Sequence, residues 1–192
     1  MLKIAITGNI SSGKSAVQKF IEECGYKVLD TDIAGHEILE ESPEIKSEFK
    51  DFDVLDANGK ISRQKMGKLV FSDEKLKQKL ENIVHPKIRK KITDFFKKNA
   101  SEKLIFVGIP LLFETGMQDL FDKIILVYTN DDIREKRLID RNNYTVEYAK
   151  IRMNCQCSQE EKKELSDFVI YNNESLDDLK SSVKNLLSIL CK

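Results

Sequence analysis

The sequence predicts an α/β fold in which helices cover both faces of a doubly wound parallel sheet. Short runs rich in β-branched residues recur at wide separations, and segments with helical periodicity lie between them. The run Ile124–Val127 is apolar throughout, which is typical of a strand buried on both faces of a parallel sheet. The predicted strands are Leu2–Thr7, Tyr26–Leu29, Lys103–Ile109, Lys123–Tyr128 and Asp167–Tyr171.

Length and charge narrow the class of protein. The 192 residues suit one domain that carries an insertion. Lys plus Arg and Asp plus Glu each total 32, so the net charge of zero provides no overall attraction to nucleic acid or to an anionic membrane. The longest apolar stretch, Leu104–Phe113, is shorter than the roughly 18 residues of a bilayer span, and the N-terminal apolar run is too short for a secretory leader. We therefore expect a cytoplasmic monomer that binds neither nucleic acid nor membrane.

The cysteines follow neither a disulfide framework nor the spacing of a complete zinc site. We expect reduced thiols at all four positions, which are Cys24, Cys155, Cys157 and Cys191.

The segment after the first strand carries the strongest functional signal. Gly8–Ser15 matches the pattern G-x-x-x-x-G-K-[ST] in full, and a helical segment, Ala16–Cys24, follows it. Such a loop binds ATP or GTP: Lys14 reaches the β and γ phosphates and the Ser15 hydroxyl ligates Mg²⁺. Backbone N–H groups should surround the phosphates. Those groups belong to Ser11, Ser12, Gly13, Lys14, Ser15 and Ala16.

Two absences narrow the class of phosphate-loop protein. A GTPase switch would carry an Asn-Lys-x-Asp motif, which this sequence lacks. A mechanical ATPase would end its third strand in an acidic pair, whereas Phe106–Gly108 ends in glycine. Both absences favour a small-molecule kinase, in which catalysis is mostly positioning and charge neutralisation.

An acidic pair ends the second predicted strand. If Asp30–Asp32 is extended, the carboxylates of Asp30 and Asp32 point the same way, at the sheet edge where ligands bind. One carboxylate can then hold Mg²⁺, and the other can accept a proton from an acceptor hydroxyl. The alternative is a turn in which aspartates cap a helix.

Residues 33–102 exceed the length of one crossover helix, so we predict an inserted helical subdomain. Pro86 marks a kink or a new helix start within it. An apolar stripe with helical spacing should form its core; the stripe comprises Leu76, Leu80, Ile83, Val84, Ile88, Ile92, Phe95 and Phe96. Residues 72–103 hold ten basic and five acidic residues, which fits either a solvated helix face or an anion-binding surface.

A basic helical segment is predicted within residues 131–164. Arg134, Arg137 and Arg141 stand at i, i+3 and i+7, on one side of that helix. Their guanidinium groups can close on the phosphates as a lid and stabilise transition-state charge. The alternative is an ordinary solvated surface.

Together these segments resemble the dephospho-coenzyme A kinase family, from Met1 to about Leu179. The most specific are His85–Arg89, with the pattern His-Pro-x-Ile-Arg, and Pro110–Glu114, with Pro-Leu-Leu-Phe-Glu. The other matching segments are Ile6–Ser15, Asp30–Asp32, Arg63, Val70–Asp73, Leu80–Val84, Ile109, Arg137–Arg141, Gln156 and Ser166–Asn172.

The resemblance implies ATP-dependent phosphorylation of the ribose 3′-hydroxyl of dephospho-coenzyme A, the last step of coenzyme A biosynthesis. His85 and Arg89 would line the acceptor side together with Asp32, and Asp30 would join Ser15 at the metal. The catalytic residues would be Lys14 as phosphate clamp, Asp32 as base, and Arg137 and Arg141 as lid cations.

The resemblance also implies a three-part architecture within one kinase domain, residues 1–192. The nucleotide-binding core would comprise 1–32, 103–130 and 165–192. The helical insertion, 33–102, would bind the acceptor, and 131–164 would form the lid.

Four residues depart from the family pattern. Asn9 and Ser11 stand where glycines are usual; Asn tolerates a left-handed backbone, and the loop should be stiffer but still bind. His36 stands in place of an Arg, which weakens a fixed positive charge near neutral pH. Gly108 stands in place of an Asp, which removes a carboxylate from the end of the third strand.

Two other functions remain open at this point. Shikimate kinases also combine a phosphate loop with Asp-x-Asp, but they use a Gly-Gly-Gly acceptor motif and this sequence has no adjacent glycines. A nucleotide-binding regulator would instead use the basic insertion to contact nucleic acid, with salt-sensitive binding.

Overall fold

The computed structural model describes residues 1–191, which form two compact units. The first comprises Met1–Asp30 and residues 98–191 and contains the sheet. The second, Thr31–Lys97, is helical apart from one isolated antiparallel bridge between Leu55 and Ile61. Within the described residues, no helix is both long and apolar enough to cross a membrane.

The sheet has five parallel strands in the order β2-β3-β1-β4-β5, so the α/β prediction is confirmed. Strand order reverses at β1, which lies between β3 and β4; ligands of such sheets bind at the carboxyl end of the strands beside this reversal. The strands are β1 (Leu2–Thr7), β2 (Lys27–Asp30), β3 (Leu104–Gly108), β4 (Lys123–Tyr128) and β5 (Phe168–Tyr171). Each predicted strand is present, with ends shifted by at most one residue.

Helices connect the strands and form the whole of the second unit apart from its loops. The helices are α1 (Lys14–Glu23), α2 (Thr31–Glu41), α3 (Pro43–Glu48), α4 (Arg63–Ser72), α5 (Glu74–Lys98), α6 (Asp131–Asn142), α7 (Val146–Asn154), α8 (Gln159–Glu164) and α9 (Leu176–Leu190). A short 3₁₀ turn spans Gln118–Leu120. Helix starts follow capping chemistry: Ser158 and Ser175 each form a capping box at the start of α8 and α9.

One face of the sheet packs against α1 and α9. Side chains alternate along a strand, so Ile4 and Ile6 of β1 point to the same face, where they join Val17 of α1 and Val183 of α9 in one buried cluster. Each such side chain contributes about 1.5–3 kcal/mol relative to exposure. This packing fixes the end of β1 and the start of α1, the two points between which the Gly-rich loop runs.

The second unit has a separate apolar core. Phe49 and Met66 are fully buried there with Ile83 of α5 at its edge, while Leu76 and Leu80 pack on the cluster. The predicted stripe of α5 therefore does form core. Helix α5 runs through Pro86 without interruption, so a new helix does not begin at that residue.

The basic face of α5 is largely neutralised by its neighbours. Lys87 Nζ lies 2.9 Å from a Glu44 carboxylate oxygen, and four further lysines make similar surface pairs. Those pairs are Lys77–Glu74, Lys79–Glu48, Lys90–Asp94 and Lys91–Glu37. Exposed pairs stabilise by about 1 kcal/mol at most, but they satisfy charge locally. For these five lysines the arrangement favours the solvated helix face over an anion-binding surface.

Candidate active site

The loop between β1 and α1 is tied to the ends of β4 and β5. The Ser12 carbonyl accepts hydrogen bonds from Thr129 Oγ1 at 2.9 Å and from Asn172 Nδ2 at 2.8 Å. The Ile10 carbonyl faces Arg134 Nη1 at 3.5 Å. In a trans peptide the C=O of one residue and the N–H of the next residue point in opposite directions. The N–H groups of Ser11 and Gly13 therefore point away from these donors. Two other N–H groups of the predicted phosphate set have partners within the loop: the Ser12 N–H donates to the Asn9 carbonyl and the Ala16 N–H to the Gly13 carbonyl, each at 3.0 Å.

Two residues of the loop adopt a left-handed backbone. Gly13 has φ of 93°, and a Cβ there would lie 2.1 Å from Asn172 Nδ2, so only glycine fits beside the Asn172 anchor. Ser11 has φ of 62°, a conformation that costs an L-residue about 1–2 kcal/mol. Asn9 does not use the left-handed backbone that asparagine tolerates, and its Nδ2 donates to the Cys157 carbonyl at 2.9 Å. Ser11 therefore carries the strain.

Buried polar atoms without partners gather in the same loop. Within residues 1–191, the buried side-chain oxygens that have no hydrogen-bond partner are Asn9 Oδ1, Ser11 Oγ and Ser12 Oγ. An unsatisfied buried polar group costs about 1–3 kcal/mol. Such atoms in a native protein require an explanation, and a bound ligand or ordered water is the usual one.

Lys14 begins α1 and lies in a polar network at the ends of β2 and β3. Its ammonium donates to Gln18 Oε1 at 2.8 Å, and Gln18 Nε2 donates to Asp30 Oδ2 at 2.8 Å. Lys14 Nζ and Asp30 Oδ2 are 3.8 Å apart. Ser15 is exposed in the first turn of α1, and Ala16 is half-buried. Lys14, Ser15 and Asp30 are therefore all in the sheet-containing unit.

The prediction that Asp30 and Asp32 share one extended segment is wrong. Asp30 is the last residue of β2 and pairs with Gly108 of β3, whereas α2 begins at Thr31. Asp32 is exposed in the first turn of α2, where the helix dipole favours a carboxylate. The period-2 argument fails because the backbone changes from strand to helix between the two residues.

The three predicted lid arginines have different environments along α6. Arg134 is only 3% exposed; its Nη2 lies 2.8 Å from Asp131 Oδ1, and its other face meets the Ile10 carbonyl. Arg137 is half-buried, and Arg141 is exposed, with Nε 3.0 Å from Asn142 Oδ1. Arg134 therefore contacts the loop directly, while Arg141 remains at the surface.

A second set of contacts ties the segment between α7 and α8 to the loop. Gln156 Oε1 accepts from the Ile10 N–H at 2.7 Å. Behind it, the Cys157 N–H donates to Glu114 Oε1 at 3.1 Å, and the fully buried Lys162 ammonium lies 2.8 Å from the same oxygen. The Lys162–Glu114 pair thus holds α8 against the chain that follows β3.

A cavity of about 400 Å³ lies between the loop, α6 and the segment that joins α7 to α8. Asn9, Arg134 and Gln156 contribute to its walls. Tyr128, also in its lining, donates to Glu160 at 2.8 Å. That hydrogen bond, followed by burial, raises the pKa of Tyr128 above its ordinary value of 10.0, so the phenol remains a donor at neutral pH. The volume lies in the range of ligand pockets.

The predicted acceptor residues belong to the second unit. His85 and Arg89 are both half-buried and stand at i and i+4 on α5, so they share one side of that helix. His36 is half-buried on α2.

Within residues 1–191, no three His, Cys, Asp or Glu side chains form a group able to hold a metal. All four cysteines are free thiols at the surface.

Sequence reasoning missed three contributors: Gln18, Thr129 and the anchoring role of Asn172. Gln18 has no motif of its own, and only its i+4 spacing from Lys14 signals the contact. Thr129 and Asn172 each directly follow a strand, at the carboxyl edge of the sheet. Because ligands of parallel sheets bind at this edge, the position after a strand was the one signal in the sequence that could have identified Thr129 and Asn172.

The parallel sheet, the loop at its reversal point and the adjoining basic helix define a phosphate-loop kinase. The family model for dephospho-CoA kinase matches residues 2–178, and the chain belongs to that family. Members carry out the ATP-dependent phosphorylation that completes coenzyme A. The family assignment decides against the shikimate-kinase and regulator alternatives.

Individual relatives are similar to this chain over nearly its full length. The chain is 37% identical to the dephospho-CoA kinase of Listeria monocytogenes serovar 1/2a, with 98% of this chain and 97% of that protein covered. A crystal structure from Thermus thermophilus superposes with a TM-score of 0.86 at 34% identity and covers 98% and 97% of the two chains. The dephospho-CoA kinase from Campylobacter jejuni gives 0.75 at 33% identity, with 97% and 95% covered.

The buried Lys162–Glu114 pair yields a stability prediction. Lys162→Met keeps the chain length but leaves the Glu114 carboxylate, whose side chain is 18% exposed, without its cation. Loss of one partner of a buried pair costs about 3–5 kcal/mol, and we expect the lower end because Glu114 retains some solvent. Denaturant titration measures the free energy of unfolding; Lys163→Met, an exposed neighbour on α8, is the control. A loss below about 1 kcal/mol would contradict a structural role for the pair.

Proposed function

We propose that this protein transfers the γ-phosphoryl group of ATP to the ribose 3′-hydroxyl of dephospho-coenzyme A. The observation that carries the proposal is the orientation of the phosphate loop. Its carbonyls at Ile10 and Ser12 are bound on one side, so the N–H groups of Ser11 and Gly13 point to the other side, as phosphate binding requires. Membership of the dephospho-CoA kinase family supports the choice of acceptor.

Phosphate binding would use the Lys14 ammonium and the N–H groups within Ser11–Ala16 other than those of Ser12 and Ala16, which donate to the Asn9 and Gly13 carbonyls. The positive end of α1 adds to their attraction for phosphate. The transferred group passes through a loose transition state with charge on its equatorial oxygens, so fixed donors lower the barrier more than mobile water does. The buried, unpartnered oxygens of Asn9 and Ser11 support a loop built around a ligand.

We propose Mg²⁺ as the ion that accompanies ATP. Mg²⁺ keeps several waters and takes one or two protein groups together with phosphate oxygens. The exposed Ser15 hydroxyl and the Asp30 carboxylate, whose side chain is 21% exposed, fit that small donor set. Ser15 would ligate the ion, and Asp30 would accept from metal-bound water. The bound ion supplies charge neutralisation on the β and γ phosphates.

Asp32 is the proposed base that orients the acceptor. It follows the end of β2 by two residues and is exposed in the first turn of α2. In a loose transition state the carboxylate has only to accept a hydrogen bond from the 3′-hydroxyl and receive its proton late. His85 and Arg89 would bind the rest of the acceptor from one side of α5.

The lid proposal concerns residues 131–164. Arg137 and Arg141 would stabilise charge on the transferring group. Arg134 would hold α6 in place, because it is buried against the loop carbonyl of Ile10.

The helical unit within 33–102 is the proposed acceptor-binding part, and the remaining segments form the nucleotide-binding core. A cytoplasmic monomer without nucleic-acid or membrane partners is the proposed working form.

The reaction can be tested by mass spectrometry of dephospho-coenzyme A after incubation with protein, ATP and Mg²⁺. We expect one added phosphate on the acceptor, formed in step with ADP. Lys14→Ala should lower kcat by about a hundredfold or more, because one preorganised charge is lost. Lys19→Ala, at an exposed position of the same helix, should retain activity. ADP formation without a phosphorylated acceptor would contradict the proposal.

Asp32→Asn tests the base. The amide keeps the size of the side chain but cannot take the proton, so kcat should fall about a hundredfold or more while ATP affinity stays within about twofold. Steady-state kinetics and an ATP titration without acceptor give the two values. Equal losses of ATP affinity and turnover would assign Asp32 to the metal.

His85→Ala and Arg89→Ala test the acceptor side. Each should raise KM for dephospho-coenzyme A by about tenfold with a small change in KM for ATP, because both lie on α5, apart from the phosphate loop in the chain. Lys90→Ala, at an exposed position of α5, is the matched control. A selective rise in KM for ATP would overturn the acceptor role.

A further inference from the structure

Gln18 occupies a buried position that the proposed mechanism does not use. It is 4% exposed, in the second turn of α1, and its amide bridges two charged groups. The carbonyl oxygen accepts from Lys14 Nζ and the amide nitrogen donates to Asp30 Oδ2, both at 2.8 Å. The amide is thus oriented by both of its polar atoms.

Gly108 provides the volume in which the amide lies. It is the last residue of β3 and pairs with Ile6 on one side and Asp30 on the other. A Cβ at position 108 would lie 2.4 Å from Gln18 Nε2 and 2.5 Å from Gln18 Cδ. Gly108 is not among the positive-φ residues, so its backbone suits any amino acid. A side chain at position 108 therefore requires the Gln18 amide to leave its place between Lys14 and Asp30.

The bridge controls the separation of Lys14 and Asp30. Their charged atoms are 3.8 Å apart, and the Lys14 side chain is 8% exposed. A poorly hydrated ammonium beside a carboxylate is drawn into direct contact, because attraction grows as the dielectric falls. Gln18 satisfies one ammonium proton and one carboxylate lone pair with a neutral group. The ammonium can therefore direct another of its three protons toward phosphate.

We propose that Gln18 is a positioning residue for phosphoryl transfer, and that Gln18 and Gly108 form an interdependent pair. The amide holds Lys14 apart from Asp30, and glycine at 108 is required because the amide fills the place of a strand-end side chain. A side chain at position 108 would fit in this place only if residue 18 were small. The inference rests on the phosphate role proposed for Lys14.

Gln18→Met separates hydrogen bonding from space filling, since Met has similar length and no polar donor. We expect kcat to fall about tenfold to a hundredfold, the value of a hydrogen bond to a charged group, with KM for dephospho-coenzyme A within about twofold. Lys19→Ala is the control on the same helix, and the melting temperature monitors folding. Full activity in Gln18→Met would show that the Gln18 side chain only fills space, and it would overturn the proposal.

Interdependence is tested with Gly108→Asp, Gln18→Ala and the double variant. Gly108→Asp alone should lose activity, since its Cβ meets the amide, and Gln18→Ala alone should lose the bridge. The double variant should be more active than Gly108→Asp alone, because without the amide the side chain at position 108 has room. A double variant no more active than Gly108→Asp would overturn the pairing. If Gly108→Asp does not fold, recovery of folding in the double variant supports the pairing and continued misfolding refutes it.

The affinity for ATP, measured without dephospho-coenzyme A, separates failure of the Gln18 proposal from failure of the proposed reaction. Gln18→Met should weaken ATP binding by about tenfold, as measured by isothermal titration calorimetry with Mg²⁺. If the parent binds ATP but does not phosphorylate dephospho-coenzyme A, the proposed function fails while this prediction still holds. If the parent is active and the variant binds ATP and turns over as well as the parent, the positioning role fails alone.

Discussion

The site depends first on the hydrogen bonds to the Ser12 carbonyl. Thr129 and Asn172, at the ends of β4 and β5, both donate to this oxygen and so fix the peptide that follows it. A peptide without such donors can turn its C=O toward a phosphate, where it would repel the anion. Two strand ends therefore fix which way this peptide of the loop points, and the sheet that aligns them sets the orientation that the proposed phosphate binding needs.

Two buried lysines of the sheet-containing unit are stabilised in different ways, one by an ion pair and one by a neutral amide. Lys162 is fully buried and is paired with Glu114, because an isolated buried ammonium would cost several kcal/mol. Around Lys14 the solution differs: the Gln18 amide lies between the ammonium and Asp30. A strong pair suits a structural contact, whereas a neutral bridge suits the phosphate-binding role proposed for Lys14.

The second unit achieves its stability by other means. Phe49, Met66 and Ile83 form its apolar centre, and lysines of α5 make exposed pairs with nearby carboxylates. Each exposed pair contributes little, so the apolar contacts supply most of the stabilisation. The same pairs reduce the local positive field that the excess of lysines would otherwise produce.

Local signals in the sequence determined the strands, the helical nature of the insertion, the phosphate loop and the family pattern of His85–Arg89, because periodicity and motif spacing act over a few residues. Tertiary structure alone decided three features. Asp32 is helical because β2 ends at its pairing with Gly108; Ser12 is anchored by residues more than a hundred positions away; and Gln18 fills the space above Gly108. Each depends on atoms that only folding brings together, which no local pattern encodes.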